Sequence, residues 1–349
     1  MNERWRIIAI VAGAVVLLGA AVGLAVTTMR QPAPIEKKVS KKEKVVKEPE
    51  LEKLVCPVDG LEVDKEVTRP LAVMVENMTT IRPQSGPGEA GLVVEGLTEG
   101  GITRFMLVFG AHGSQDVGPI RSARSHFVSL ARGWDAIYGH VGGSKYALND
   151  IKRWDVFDWD QSVHGGDYAR VKTARAPHNV FSSTKRLRDA AAKKDTKTAP
   201  AEPLFNFKAA PKLEERPEGF ESIVIGYPET GYGVEYQYDR STNTYLRFNG
   251  GRPHTDANTE KQLAPTNIVL VRAAHSSIRG GSGVLDVNVT GSGEATVFRD
   301  GQVIEGTWER ADVADPLVLK DTDDREIELT AGQTWVEIVG PTMPLHIQQ

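Results

Sequence analysis

The stretch Gly91–Trp134 reads GLVVEGLTEGGITRFMLVFGAHGSQDVGPIRSARSHFVSLARGW and decides the fold of this chain. LVVEGL and ITRFMLVF are apolar runs of strand length, joined by a turn that ends in Gly100-Gly101. ITRFMLVF is apolar on both faces, which predicts a central strand covered on both sides. From about Ser122 apolar residues recur at helical spacing and Gly133 follows as a terminator, which predicts a helix.

The same stretch carries many charges among its apolar residues: Glu95, Glu99, Arg104, Arg121 and Arg124. Glu95 and Glu99 are four residues apart, so they share a face in either a strand or a helix. Arg121 and Arg124 lie at the predicted helix start, where the helix dipole disfavours cations. They therefore require a negative partner, which is either the two glutamates in a structural ion-pair network or an anionic ligand. The glutamates are also candidates for a general acid and base.

A second candidate site follows the predicted strand DAIYGHVGG. A strand, a Gly-Gly turn and a helix capped by Ser144 indicate either a cradle for phosphate or carboxylate or a simple helix cap. Ser144 as a nucleophile would need His140 or His178 as its base, but the glycine pattern of a nucleophile elbow is missing. The chain turns again at His178-Asn179. The candidate ligand-binding residues are therefore Glu95, Glu99, Arg104, Arg121, Arg124, His140, Gly142, Gly143, Ser144, His178 and Asn179.

The histidines are scattered and show no H-x-H or H-x-x-x-H spacing, so the sequence predicts neither a metal site nor a cofactor.

Composition changes along the chain predict five segments. They are a cytoplasmic stub with a transmembrane anchor (1–29), a disordered Lys/Glu/Pro stalk (30–54), an N-terminal α/β domain (55–194), a linker (195–221) and a β-rich C-terminal domain (222–349). In the last segment Asn249-Gly250 and Asp300-Gly301 are hairpin signals. The predicted fold class is α+β.

The N-terminus carries an uncharged apolar run, Ile7–Val26, long enough to cross a bilayer as a helix. Arg4 and Arg6 precede it, which keeps the N-terminus cytoplasmic and places the rest of the chain outside a bacterial plasma membrane. A cleavable signal peptide is the alternative, but its apolar region normally spans only about 7–15 residues. Gly19 and Gly23 have the G-x-x-x-G spacing that permits a homodimer within the membrane.

The single cysteine, Cys56, excludes an intramolecular disulfide and is poorly placed for lipid attachment, because it lies about thirty residues beyond the apolar run. The net charge is −4; residues 1–29 carry +1 and residues 30–53 carry +3, which leaves −8 for residues 54–349. A mildly acidic outer part argues against nucleic acid as a partner.

Several motifs occur in the order of a known family: RPLAVMVEN, GPIRSARSHF, DAIYGHVGGS, TARAPHN, YLRFNGGRPHTD and VFRDGQVIEGTWER. Together they resemble the YerB-like family, bacterial envelope proteins of unknown function, many of them described as lipoproteins. The resemblance implies an N-terminal α/β domain, layered as helix on two sheets, and a mostly β C-terminal domain. It implies no established reaction, and the chain departs from lipoprotein relatives in lacking a lipidation cysteine.

These observations lead to two functional hypotheses. The first is a membrane-anchored extracytoplasmic binding or scaffold protein, not an enzyme, which recognises an anionic wall polymer or a partner protein of the envelope. The alternative is a hydrolase of cell-wall glycan or a phosphoester that uses Glu95 and Glu99 or Ser144 and His140. A purely mechanical spacer would show no concave site.

Overall fold

The strand that the sequence places at the centre, β3 (Thr103–Phe109), is wholly buried between two neighbours in the computed structural model. The structure describes residues 53–277 and 283–348. β3 pairs antiparallel with β1 (Leu71–Glu76) on one side and with β2 (Leu92–Leu97) on the other. The apolar run therefore forms the predicted central strand.

These strands belong to a ten-stranded mixed sheet drawn from both halves of the chain. Its other members are β4 (Ile137–His140), β5 (Asp158–Asp160), β13 (Asn267–Arg272), β16 (Gly291–Arg299), β17 (Gln302–Arg310), β18 (Val318–Asp321) and β20 (Thr334–Val339). The strand order is β18-β17-β16-β13-β20-β2-β3-β1-β4-β5. The β2–β20 pair is parallel and joins the N-terminal half to the C-terminal half, with Glu95 opposite Glu337.

A second sheet of five strands packs on one face of the large sheet. It consists of β9 (Ser222–Ile225), β10 (Val234–Asp239), β11 (Thr244–Asn249), β12 (Arg252–Pro253) and β21 (Leu345–Gln348). One apolar core contains Phe105 and Trp335 of the large sheet together with Ile223 and Tyr245 of the small one. The small sheet therefore covers one of the two faces of β3.

Helices cover the other face of the large sheet. α1 (Ser125–Gly133) and α2 (Lys145–Arg153) bury Phe127 and Ile151 in a second apolar core with Met74 and Val108. A third helix, α3 (Thr184–Ala191), packs Leu187 into the core on the side of the small sheet. A helix layer and two sheet layers are present, but strands of both halves of the chain build them, whereas the prediction placed this layering in the N-terminal domain alone.

The remaining strands form small two-stranded sheets. They are β6 (Ala169–Arg170) with β7 (Val180–Phe181), β8 (Phe207–Lys208) with β19 (Leu329–Thr330), and β14 (Ala274–Ser277) with β15 (Leu285–Asn288). Short 3-10 turns occupy Thr79–Ile81, Glu99–Gly101, Gly165–Asp167 and Leu213–Glu215.

The predicted linker 195–221 is packed against the protein. Leu204, Phe205 and Phe220 are buried, and β8 pairs with β19. Glu52–Gln349 forms one compact unit. The Lys/Ala/Pro/Glu composition suggested a separator, but the few aromatic residues in it were sufficient to anchor it to the core.

Two predicted positions, the start of α1 and the β11–β12 turn, differ from the structure by a few residues. α1 begins at Ser125 rather than near Ser122, because residues 120–123 are extended and Arg121 N–H donates to the Met74 carbonyl. The β11–β12 hairpin turns at Gly250-Gly251, both with positive φ, so Asn249 is still a strand residue. The turn at Asp300-Gly301 between β16 and β17 is confirmed.

None of the helices in the described residues is long and apolar enough to cross a bilayer. The predicted transmembrane helix 7–26, the stalk up to residue 52 and the Gly19/Gly23 dimer motif lie outside the described residues.

Gly306 on β17 provides a test of the large sheet. A Cβ at this position would collide with the Lys320 carbonyl on β18. We expect Gly306→Ala to lower the free energy of unfolding of the full-length chain by about 1–3 kcal/mol in urea titrations. Gly233→Ala is the control, because a Cβ there meets nothing within 4 Å; equal effects of both changes would contradict the strand pairing.

Candidate functional site

Strand alternation separates the predicted charges onto two faces of the large sheet. Glu76 ends β1 directly opposite Arg104 of β3, on the face that α1 and α2 cover. Glu95 of β2 lies on the opposite face, which the small sheet covers, together with Val93 and Leu97. The predicted grouping of Glu95 with Glu99 is therefore wrong, because β2 ends at Leu97 and Glu99 lies in the following 3-10 turn.

On the helix side, three arginines meet two carboxylates and a histidine. We call this group the arginine cluster: Arg104, Arg121, Arg124, Glu76, Glu99 and His178. Arg124 forms a forked ion pair with Glu99, with Nε 2.8 Å from both carboxylate oxygens and a terminal nitrogen 2.6 Å from Oε2. Although burial opposes it, the hydrogen bonds and charge of Arg124 hold the pKa of Glu99 below its ordinary value.

Glu76 is the other acid of the cluster, and the sequence analysis did not identify it. Its carboxylate is 2% exposed and lies 3.2 Å from Arg121 Nε and 2.6 Å from His178 Nδ1. Arg121 also donates to the Pro177 carbonyl at 3.2 Å. Glu76 therefore holds the two turns that carry Arg121 and His178 against each other.

Arg104 is the least satisfied member of the cluster. It is 4% exposed, its side chain donates only to the Ser122 carbonyl, and its Nε has no partner among the described residues. Burial, followed by the charges of Arg124 and Arg121, lowers the pKa of Arg104 to about 10. Three guanidinium groups against two carboxylates leave the cluster with an excess of positive charge.

His126 in the first turn of α1 lies within electrostatic range of Arg104 and Arg124 and was also missed. Both of its ring nitrogens are buried without a hydrogen-bond partner in the described part of the chain. Burial, followed by the charges of His275 and then Arg124, lowers its pKa to about 3, so the ring is neutral. The N-terminus of α1 also lies at this cluster, because Arg124 is the N-cap residue of the helix. Arg124 makes no side-chain capping hydrogen bond, so its side chain satisfies none of the first N–H groups of α1.

The Gly142–Ser144 turn lies beside this cluster, because Ala123 pairs with Gly143. Ser144 is the N-cap of α2 as predicted, and its Oγ accepts from Ala147 N–H at 3.1 Å. Gly142 N–H already donates to the Asp160 carboxylate at 2.9 Å. Gly142 N–H and Ser144 Oγ are thus used within the chain, as expected of a simple helix cap.

His140 does not activate Ser144. Its Nε2 lies 2.7 Å from Asp158 and its Nδ1 lies 2.8 Å from the Gly142 carbonyl, so both ring nitrogens are occupied. Asn179 binds Arg170 and the Val171 carbonyl and thereby supports the β6–β7 hairpin. The hydrogen bonds of His140 and Asn179 thus hold the loops around the arginine cluster.

Glu95 instead belongs to a buried ionic centre between the two sheets. Arg247 of β11 lies between Glu95 of β2 and Glu337 of β20, and all three side chains are 0% exposed. Arg247 donates to Glu337 at 2.8 Å and to Glu95, and its guanidinium lies 4.0 Å from the ring centroid of Trp335. Tyr227 and Tyr236 donate to Glu337 at 2.8 and 2.5 Å.

Burial, followed by the charge of Glu337, raises the pKa of Glu95 to about 7 against the attraction of Arg247. Burial would lower the pKa of Arg247, but Tyr236 and the two carboxylates raise it above its ordinary value. The sequence signal for this centre was an acid inside an apolar strand, which LVVEGL and TWVEIV share. Arg247 in TYLRFN was missed, because its burial depends on the packing of the two sheets.

Among residues 53–277 and 283–348, no group of three or more His, Cys, Asp or Glu side chains is arranged to hold a metal ion.

The raised pKa of Glu95 predicts how the free energy of unfolding depends on pH. A carboxyl group whose pKa is higher in the folded state binds protons more tightly there, so its contribution to stability decreases as pH rises from about 4.5 to about 7. We expect the free energy of unfolding of the wild type, relative to Glu95→Gln, to fall by on the order of 1–3 kcal/mol between pH 5 and pH 8.

Urea titrations of the full-length chain at both pH values measure this difference. Glu218→Gln is the control, because that side chain is 93% exposed. A difference between wild type and Glu95→Gln that is the same at pH 5 and pH 8 would show that Glu95 does not titrate in this range.

Comparison with known proteins gives the family. Two family models match: "Protein of unknown function (DUF3048) N-terminal domain" over residues 59–197 and "Protein of unknown function (DUF3048) C-terminal domain" over residues 223–336. A Bacillus subtilis (strain 168) protein named "Putative lipoprotein YerB" is 32% identical over 294 residues, covering 82% of this chain and 86% of that protein.

The crystal structure of YerB protein from Bacillus subtilis has the same fold. It superposes with a TM-score of 0.76 at 31% identity, covering 85% of this chain and 100% of the crystallised chain. The sequence matches and the shared fold together show that this chain belongs to the YerB-like family.

Proposed function

We propose that this chain is an anchored binding protein of the bacterial envelope whose arginine cluster recognises an anionic group of a wall polymer or partner protein. The observation that carries the proposal is the state of Arg104, a buried guanidinium whose Nε has no partner in residues 53–277 and 283–348 and whose neighbours are two further arginines. An anion beside Arg104 would supply hydrogen bonds and offset the excess positive charge.

Two features of the cluster favour a bound anion over a purely structural network. A structural network would be expected to satisfy its buried donors, whereas Arg104 Nε is left without a partner among the described residues. Part of the cluster is also accessible, since the side chains of Arg121 and His178 are 20% and 26% exposed. An anion can therefore reach Arg121 and His178 at the accessible edge of the cluster from solvent.

The location in the envelope rests on the N-terminus and on the relative that is named a lipoprotein. We propose that the apolar run 7–26 anchors the chain in the plasma membrane as a single span, with the folded part outside the cytoplasm. Cys56 is 0% exposed, and burial raises the pKa of its thiol, so it is a core residue rather than a lipid attachment site. The apolar run would then replace the lipid of the relative.

A phosphoester hydrolase is a second candidate, and the Glu76–His178 pair is the observation that favours it. His178 Nδ1 contacts the buried carboxylate, and its Nε2 has no hydrogen bond within the described residues, which is the arrangement of an oriented general base. In this candidate Glu76 and His178 take the place of the pairs Glu95/Glu99 and Ser144/His140. Glu95 and Glu99 lie on different faces, and the ring nitrogens of His140 are both occupied.

Binding to cell walls tests the proposed function. Purified walls, with or without their phosphate polymers, are sedimented with the detergent-solubilised full-length chain. We expect Arg121→Gln and the neutral pair Glu99→Gln/Arg124→Gln each to weaken binding by about tenfold or more, because each removes a charge-assisted hydrogen-bond donor. Loss of wild-type binding on phosphate removal would identify phosphate as the anion, and retention would identify carboxylate.

The neutral pair variant is informative because it removes the Arg124–Glu99 ion pair without leaving an unpaired charge. The matched control is Asp321→Asn/Arg325→Gln, which removes an exposed pair on β18 and the following turn. If the Glu99/Arg124 variant loses thermal stability but sediments with walls like the wild type, the cluster is structural and the proposal fails.

A further inference from the structure

A cavity on the opposite side of the large sheet carries an inference that is independent of the arginine cluster. It has a volume of about 410 Å³ and lies where the β11–β12 hairpin meets the segment that follows the 3-10 turn at Thr79–Ile81. Its lining includes Arg82, Pro83, Asn249, Arg252, Pro253 and His254. A cavity of this size accommodates a small organic molecule.

Asn249 is the residue that marks the cavity as a binding site. Strand alternation places its side chain on the inward face of β11, two residues from Arg247, and it is 4% exposed. Neither Oδ1 nor Nδ2 has a hydrogen-bond partner in the part of the chain that the structure describes. A buried amide without partners costs free energy, which a ligand amide offering one donor and one acceptor would offset.

The polar neighbours of Asn249 are already satisfied, so the unpaired amide is a local exception. His254 is buried, with Nδ1 accepting from Arg247 Nε at 3.0 Å and Nε2 lying 2.9 Å from Gln84 Oε1. Burial, followed by the charge of Arg247, keeps the pKa of His254 well below its ordinary value, so its ring is neutral. The wall behind the cavity is therefore fixed before any ligand binds.

The charge of the cavity is positive. Arg82 donates to Asn77 and to the Gly231 carbonyl, which uses three of its five N–H groups and leaves two. Arg252 is exposed and forms no ion pair within the described residues. The residues that line the cavity include no carboxylate.

We propose that this cavity binds a short N-acylated peptide that ends in a free carboxylate. Arg252 and the remaining N–H groups of Arg82 bind the carboxylate, and the Asn249 amide pairs with the ligand amide. Pro83 and Pro253 contact the apolar part of the ligand. The site does not depend on the arginine cluster, whose residues lie on the helix side of the large sheet.

Ligand-observed NMR on the full-length chain in detergent micelles tests this proposal with N-acetylglycylglycine, which has both groups and no stereocentre. We expect saturable binding of the acid and at least about tenfold weaker binding of its C-terminal amide, because the amide lacks the charge that Arg82 and Arg252 bind. Arg252→Gln and Asn249→Ala should each weaken binding of the acid about tenfold.

Asn249→Ala should leave the thermal midpoint of the free protein unchanged or raised, because it removes a buried amide that has no partner. Arg121→Gln should leave binding of the acid unchanged, which separates this site from the arginine cluster. The proposal is overturned by no saturable binding at millimolar acid, by equal binding of acid and amide, or by variants that bind like the wild type. Equal competition by inorganic phosphate would also overturn it, since a site for any anion needs no Asn249 amide.

Discussion

The buried ion triad of Glu95, Arg247 and Glu337 is the interaction on which the rest of the structure depends. Its three side chains come from β2, β11 and β20, which are one strand of the N-terminal half, one strand of the small sheet and one strand of the C-terminal half. Taking such charges out of water is costly, and removing one partner of a buried pair typically costs about 3–5 kcal/mol. The triad is therefore stable only when both sheets and both halves of the chain are assembled.

This requirement explains why the two halves share a sheet. The parallel pairing of β2 with β20 brings Glu95 opposite Glu337, so that one arginine from the small sheet can contact both acids. Burial, followed by the like charge of Glu337, raises the pKa of Glu95, and aromatic side chains around Arg247 exclude water from the guanidinium. The arginine cluster, on the opposite face, contains an excess of cations and a donor, Arg104 Nε, that has no partner in the described part of the chain. One polar centre thus joins the sheets, and the other is the one that we propose binds an anion.

Local structure could be predicted from the sequence where its signals are short-range. The apolar run of β3, the Ser144 cap and the turn at Asp300-Gly301 each depend on neighbours within a few residues. The partners of the charges could not be predicted in the same way. Glu95 binds Arg247, which is 152 residues away, and Arg121, which precedes α1, binds Glu76 at the end of β1. Arg124 has the negative partner that its position required, and Glu99 supplies it. The grouping of Glu95 with Glu99 by strand periodicity failed because β2 ends at Leu97, before Glu99.

We propose that anions bind the arginine cluster, whereas the buried triad stabilises the fold. Resonances of arginine Nε–H groups test it most directly, with arginine-labelled full-length chain titrated in micelles with inorganic phosphate and, in parallel, acetate. We expect the signals of Arg104 and Arg121 to shift together with one saturable affinity for at least one of the anions, while the signal of Arg247 does not move. Unchanged signals of Arg104 and Arg121 at millimolar concentrations of both anions, or an equal shift of Arg247, would contradict it.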